Sequence, residues 1–273
     1  MTNKENFDVL TIAGNREDLD IIQALMGNYC LGAFFRYDSA KLYFNRGLRE
    51  KMNRILNEFV INEIQEWQWD IQSHEEWHLI WKKNFQPVII DEKLAIIPHW
   101  QENSKEDLVI KIKPGMAFGT GHHETTWLML KQMLSYIQEG MSVLDLGTGS
   151  GILSITAKIM GATKVDVVEI DSACETNFYE NLKLNKIKEG INFYLEDILN
   201  WEKWDYDLIL GNINRNIIEK LIPQLLNVKG KILLSGLLIS DFDLIKTLGR
   251  KYKFQLNEKL IKGEWICIII SFN

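Results

Sequence analysis

Three glycines, Gly147, Gly149 and Gly151, punctuate the segment VLDLGTGSG at 143–151, between an apolar run and the helix-like ILSITAKIM at 152–160. A strand that runs into glycines and then a helix brings its backbone close to a ligand, because glycine takes turn conformations that a Cβ forbids. The spacing narrows the choice of ligand. A dinucleotide fingerprint, G-x-G-x-x-G, needs its third glycine at position 152, where this chain has Ile152. One βαβ step later the apolar run at 165–170 delivers Glu169 to a strand end, where a carboxylate can accept both hydroxyls of an adenosine ribose. Asp171 competes for that role. Position separates the two: Glu169 stands at the strand end as the ribose acceptor, and Asp171, two residues on, caps the helix that follows. Glu196 and Asp197 follow the next strand, and Asp197 either accepts from an adenine amine or caps a helix.

These residues need a scaffold, and the hydrophobic pattern supplies one. Strands are expected at 143–146, 165–169, 191–195, 208–210 and 232–235, with helices between them. Such alternation predicts an α/β, doubly wound, mostly parallel sheet that binds its ligand at the carboxyl ends of the strands. Strands at 252–255 and 264–272 would add an antiparallel hairpin at the sheet edge. The first 70 residues read differently, as βαββαβ: strand 7–13, helix 17–26 with Leu19, Ile22 and Leu25 or Met26 on one face, a hairpin of 30–37 and 41–44, helix 48–59 and strand 64–69. That order predicts a small ferredoxin-like α+β domain. Between the two lie residues 74–85, where Trp77 and Trp81 stand one helical turn apart as on a packing helix, and strand-like alternation at 87–100. The expected organisation is therefore 1–70, a small domain; 71–112, a linker helix with following strands; and 113–273, the large α/β domain.

Composition excludes several classes. Among 273 residues, 46% are hydrophobic and 25% charged, the balance of a folded protein rather than a disordered one. The 31 basic and 37 acidic residues give a net charge of −6 with no basic block, so direct nucleic-acid binding is not expected. The strongest apolar run, 265–272, is far short of the ~20 residues that span a bilayer, and the start has no signal-peptide core, so a cytoplasmic protein is expected. Cys30, Cys174 and Cys267 are too few and too scattered for a disulfide framework or zinc site. His74 and His78 stand four apart without the acidic residue of a zincin pattern, so no metal is expected. His122 and His123 invite a general-base reading, but no carboxylate at defined spacing orients either ring, and a loop or substrate-contact role is preferred.

The G-x-G-x-G turn is the spacing of Rossmann-like S-adenosylmethionine-dependent methyltransferases. Further motifs sharpen this: PGMAFGTGHHETTWLML at 114–130, VLDLGTGSGIL at 143–153, GNIN at 211–214, LLSGLL at 233–238 and GEW at 263–265. Together with WHLIWKKNFQPVII and IIPHW, they resemble the ribosomal protein L11 methyltransferase family over residues 73–273, while the first 70 residues match in their order of elements. The resemblance implies S-adenosylmethionine as donor, S-adenosylhomocysteine as product, and cofactor contacts at Thr126, Gly147, Glu169 and Asn212. Beside them, Thr125 and its neighbouring N–H groups suit a carboxylate at a helix start, Gly149 lies in the turn, Phe118 offers an apolar lid, and Asp197 is the candidate at the adenine edge. Asn212 is the expected aligning residue in catalysis. The implied acceptors are lysine side chains and the α-amine of ribosomal protein L11, with the small first domain recognising that partner. Two positions depart from the family: Glu169 replaces a common Asp, keeping the charge on a longer arm, and Gly211 replaces a common Ala. The NIN sequence lacks the N-P-P-[YF] signature, which argues against methylation of planar amides or nucleobase amines.

Overall fold

The computed structural model describes residues 6–14, 16–26, 29–35, 38–58, 66–73, 86–113 and 121–272. Residues 74–85, with His74, Trp77, His78 and Trp81, and the segment 114–120, with Phe118, lie outside the described residues. The chain divides into two compact units, Met1–Gln86 and Pro87–Asn273.

The first unit runs β1 (Asn6–Ala13), α1 (Arg16–Met26), β2 (Cys30–Phe35), β3 (Ser39–Asn45), α2 (Arg49–Glu58) and β4 (Glu66–Ser73). Its sheet has the order β2-β3-β1-β4 with every pair antiparallel, the ferredoxin-like arrangement. Alternate residues of the central strands, Leu10, Ile12, Ala40, Leu42 and Phe44, pack against Leu19, Ile22 and Met26 of α1 and Met52 and Leu56 of α2. Of the two candidates for the end of the α1 face, Met26 is the buried one. Buried Asp8 ties β1 to the start of α2, accepting from Arg49 Nε at 2.8 Å and from the Gly47 N–H at 3.1 Å.

The second unit begins with β5 (Val88–Ile90), β6 (Leu94–Pro98) and β7 (Leu108–Ile112), a small sheet with β5 antiparallel and β7 parallel to β6. These strands were expected in a linker. In the structure Ile90, Leu94, Ile96, Ile110 and Ile112 share one core with Leu128, Met129 and Met133 of α3 (Glu124–Tyr136), so they fold with the large domain. There follow β8 (Ser142–Leu146), α4 (Ile152–Ile159), β9 (Lys164–Glu169), α5 (Ser172–Leu184), β10 (Ile191–Leu195), β11 (Leu208–Asn212), α6 (Arg215–Leu221), β12 (Lys231–Leu238), α7 (Phe242–Tyr252), β13 (Gln255–Lys262) and β14 (Trp265–Ser271).

The seven-stranded sheet has the order β10-β9-β8-β11-β12-β14-β13, parallel from β10 through β12 and antiparallel at β14 and β13. Its central strands are buried on both faces. Val143, Val165, Val167, Leu208 and Leu210 enter one core, while Leu144, Leu146, Val168 and Ile209 enter another. The strand order reverses between β8 and β11, and at that switch point the carboxyl ends of a doubly wound sheet leave room for a ligand.

One expected strand is corrected. Residues 252–254 are not extended: Tyr252 ends α7, Lys253 turns left-handed at φ 60°, and the strand begins only at Gln255. The apolar look of this stretch comes from Phe254, whose ring packs over Gly249 and against Phe272, whereas the true edge strand is largely exposed and charged.

Candidate functional site

The glycine turn is shaped by its neighbours. The Gly147 N–H donates to the Val168 carbonyl at 2.8 Å, drawing the turn alongside the end of β9. Gly147 has φ 71°, and a Cβ there would stand 2.9 Å from Ile213 Cγ2. Gly151, at φ 82°, caps α4 and would drive a Cβ to 2.6 Å from the Phe178 ring. The observed glycine spacing is therefore imposed by packing as well as by dihedral angle.

Glu169 is 7% exposed and meets this turn directly. Its Oε2 accepts from the Gly149 N–H at 2.9 Å and its Oε1 from the Asp171 N–H at 3.0 Å. A carboxylate has about four acceptor directions, so two backbone donors fix the group and leave capacity for two more hydroxyls. Asp171 caps α5, accepting from the Ala173 N–H at 2.9 Å, the role expected of it. Of the two roles open to Asp197 the structure contains the cap: its Oδ1 accepts from the Leu199 N–H at 2.9 Å, at the start of a short 3-10 turn.

A residue without an assigned role lies just inside the turn. Asp145 is fully buried, and its Oδ2 accepts from Thr148 Oγ1 at 2.7 Å and from Ser154 Oγ, while Oδ1 has no hydrogen-bond partner among the described residues. Burial pushes its carboxyl from 3.8 up to about 6, outweighing the two hydroxyl bonds, and nearby Glu169 adds to the rise. Because the folded value lies above the unfolded one, ionised Asp145 costs the fold stability. That cost is absent below about pH 4, grows through the window between 3.8 and about 6, and is complete above it. Thermal melts of wild type and Asp145→Asn should therefore diverge: as pH rises from 4 to 7, wild type is expected to lose roughly 2–3 kcal/mol relative to the uncharged variant. A difference independent of pH would remove the assignment.

On the far side of β8, α3 presents Thr125 and Thr126, both buried in its first turn. Asn212, at the end of β11, donates from Nδ2 to Thr126 Oγ1 at 3.3 Å, so two of the expected contact residues touch. His123 caps the same helix and His122 is exposed. The structure thus brings Glu169 to Gly149 and Asn212 to Thr126. It also adds Asn181, missed by sequence reasoning, whose fully buried amide donates to the Ser150 carbonyl at 2.8 Å and accepts from the Lys113 N–H at 2.7 Å. Asn177 and Asn185 flank it at four-residue spacing and bond the Lys113 and Lys111 carbonyls. Asparagine at two successive turns of a helix and again at its C-cap is a legible signal, since it is a poor residue for helix interiors. Among the described residues no group of three or more His, Cys, Asp or Glu could hold a metal.

The family model for ribosomal protein L11 methyltransferase matches residues 16–273. The chain belongs to this family. A ribosomal protein L11 methyltransferase of Dictyoglomus turgidum is 32% identical over 96% of this chain and 91% of its own, and that of Bacillus subtilis is 33% identical over 82% and 74%. The crystal structure of a ribosomal protein L11 methylase from Lactobacillus delbrueckii subsp. bulgaricus superposes with a TM-score of 0.64 at 32% identity, covering 69% of this chain and 99% of that one.

Members of the ribosomal protein L11 methyltransferase family use S-adenosylmethionine, and the residues present fit it. The turn at Gly147 leaves no room for a Cβ, and beside it the Glu169 carboxylate, held by two backbone N–H groups, has acceptor directions to spare. Among the described residues no helix is long and apolar enough to cross a membrane.

Proposed function

We propose that the protein methylates ribosomal protein L11, taking lysine side chains and the α-amine as acceptors. The relatives' names give L11 as their substrate, and a ribosomal acceptor makes the cytoplasm the place of action. The observation that carries the reading is Glu169, held by two backbone N–H groups beside the glycine turn with acceptor capacity to spare. In this reading Glu169 takes the ribose hydroxyls, Gly147 and Gly149 give close backbone approach, and Thr125 and Thr126 at the positive end of α3 take the methionine carboxylate. The first unit recognises the protein substrate.

S-adenosylmethionine supplies an electrophilic methyl group on a sulfonium. The protein's task is to present an amine with a free lone pair, although lysine ordinarily titrates near 10.4 and an α-amine near ~7.7–8.0. Desolvation in the site lowers the amine's pKa, and no general base is invoked. Asn212 aligns it: its Nδ2 is committed to Thr126, which leaves the carbonyl Oδ1 to accept from the amine N–H. Asn212→Ala is therefore expected to lower kcat by about 10- to 100-fold, more than it raises KM for the protein substrate. Steady-state kinetics in both substrates check this, and a change confined to KM would reject the aligning role.

The substrate is tested by incubating the enzyme with labelled S-adenosylmethionine and purified ribosomal proteins, then locating the label by mass spectrometry. Label on L11 amines is the expected result. Label on another chain points to a related lysine methyltransferase with a different partner and overturns the assignment.

A further inference from the structure

His123 is an unusual choice for a helix cap. With φ −71° and ψ 140° it stands at the N-cap of α3, and its Nδ1 lies 3.3 Å from the Thr125 N–H and 2.8 Å from Thr125 Oγ1. Ser, Thr, Asp or Asn would make that bond as well or better, so capping alone does not explain an imidazole. The second contact does. The Trp265 ring meets the His123 ring edge-on, with centroids 4.9 Å apart at 66°.

Trp265 is itself held at the start of β14. It pairs with Leu238 of β12 and Lys262 of β13, and the preceding Glu264 carbonyl accepts from the Ile239 N–H at 2.8 Å. The turn before it also reaches the helix, for a Cβ on Gly263 would lie 3.7 Å from Glu124 Cγ. The GEW turn at the end of the chain thus abuts the first turn of α3, the turn that holds Thr126 against Asn212.

We propose that His123 is a positioning residue for methyl transfer: it caps α3 through Nδ1 and rests its ring on Trp265, so that the terminal hairpin sets where Thr125 and Thr126 stand. The Thr125 N–H donates to Nδ1, so the ring serves the helix as an acceptor. Histidine contributes here through geometry rather than proton transfer. Without the cap the first turn frays, the fraction of molecules with Thr126 in place falls, and apparent affinity for the ligand falls by the same fraction. The proposal rests on the assignment of Thr126 to the cofactor site.

The test uses the full chain in four variants, His123→Ala, His123→Asn, Trp265→Leu and Thr126→Val, with thermal melts to verify folding. Calorimetry measures binding of S-adenosylhomocysteine, and steady-state kinetics give kcat separately. His123→Ala is expected to weaken binding about fivefold, the equivalent of a lost cap. His123→Asn, which keeps an acceptor at the cap but has no base, should restore most of the affinity and most of kcat, and Trp265→Leu should weaken binding with His123 still present. Equal loss of kcat in His123→Ala and His123→Asn with unchanged binding overturns the proposal in favour of a histidine base. Unchanged binding in both His123→Ala and Trp265→Leu also overturns it. Unchanged binding in Thr126→Val rejects the cofactor-site assignment instead, and is distinguishable from the other results because it concerns that variant alone.

Discussion

Glu169→Ala is expected to weaken S-adenosylmethionine binding by tenfold to a few hundredfold while leaving the second unit folded. The variant removes the carboxylate proposed to accept from the ribose hydroxyls, and hydrogen bonds to a charged group are worth ~1.5–3 kcal/mol each. It also strips the Gly149 and Asp171 N–H groups of their partner, so the glycine turn loosens where the ligand must lie. Glu169→Gln separates the two effects, since an amide keeps one acceptor oxygen for one backbone N–H but loses the charge. Calorimetry on both variants decides: affinity unchanged in Glu169→Ala would transfer the role to Asp171. Asp171 is a weaker candidate, because its carboxylate already caps α5.

Deleting residues 1–86 is expected to abolish methylation of L11, a loss of at least about 100-fold if recognition contributes as little as ~3 kcal/mol, with affinity for S-adenosylhomocysteine nearly intact. Every residue assigned to the cofactor lies in the second unit, whose two cores are built from residues beyond Gln86. The position of the cut is critical. Deletion through Ile112 would take Ile90, Leu94, Ile96, Ile110 and Ile112 out of the core under α3. At roughly 2–5 kcal/mol for each large buried aliphatic lost, the five together cost about 10–25 kcal/mol, as much as or more than the ~5–15 kcal/mol by which a domain is stable. The shorter deletion should melt cooperatively and bind the product, and the longer one should not fold. Full-rate methylation by the shorter variant would show that the first unit is not the recognition element.

The residues that could be read without a structure are those whose meaning is local. Gly147, Gly149 and Gly151 announce a turn because each takes a positive φ, and that demand is written in a single residue type. Glu169 and Asp171 separate because strand alternation ends between them. The βαββαβ order of the first unit is legible because its helices and strands each bury one face, which stamps a period of 3.6 or 2 on the chain. The same reasoning fails at β13, an edge strand mostly exposed along its length, where no apolar alternation marks the start and buried Phe254 just before it misleads.

What tertiary structure alone decides is which distant residues meet. Thr126 and Asn212, Asn181 and Lys113, and His123 and Trp265 are joined by the strand order and by the packing of α3 and α5, and no periodicity links their positions in the chain. Asp197 offers two local roles, and the short turn that follows it takes its carboxylate as a cap. Asp145 is plain in the sequence as part of the glycine motif, but its burial, its two hydroxyl partners and its raised pKa arise only when α4 brings Ser154 back over the turn. Local sequence specifies dihedral angles and faces, whereas burial and partnership are properties of the assembled chain, because desolvation depends on everything that packs around a group.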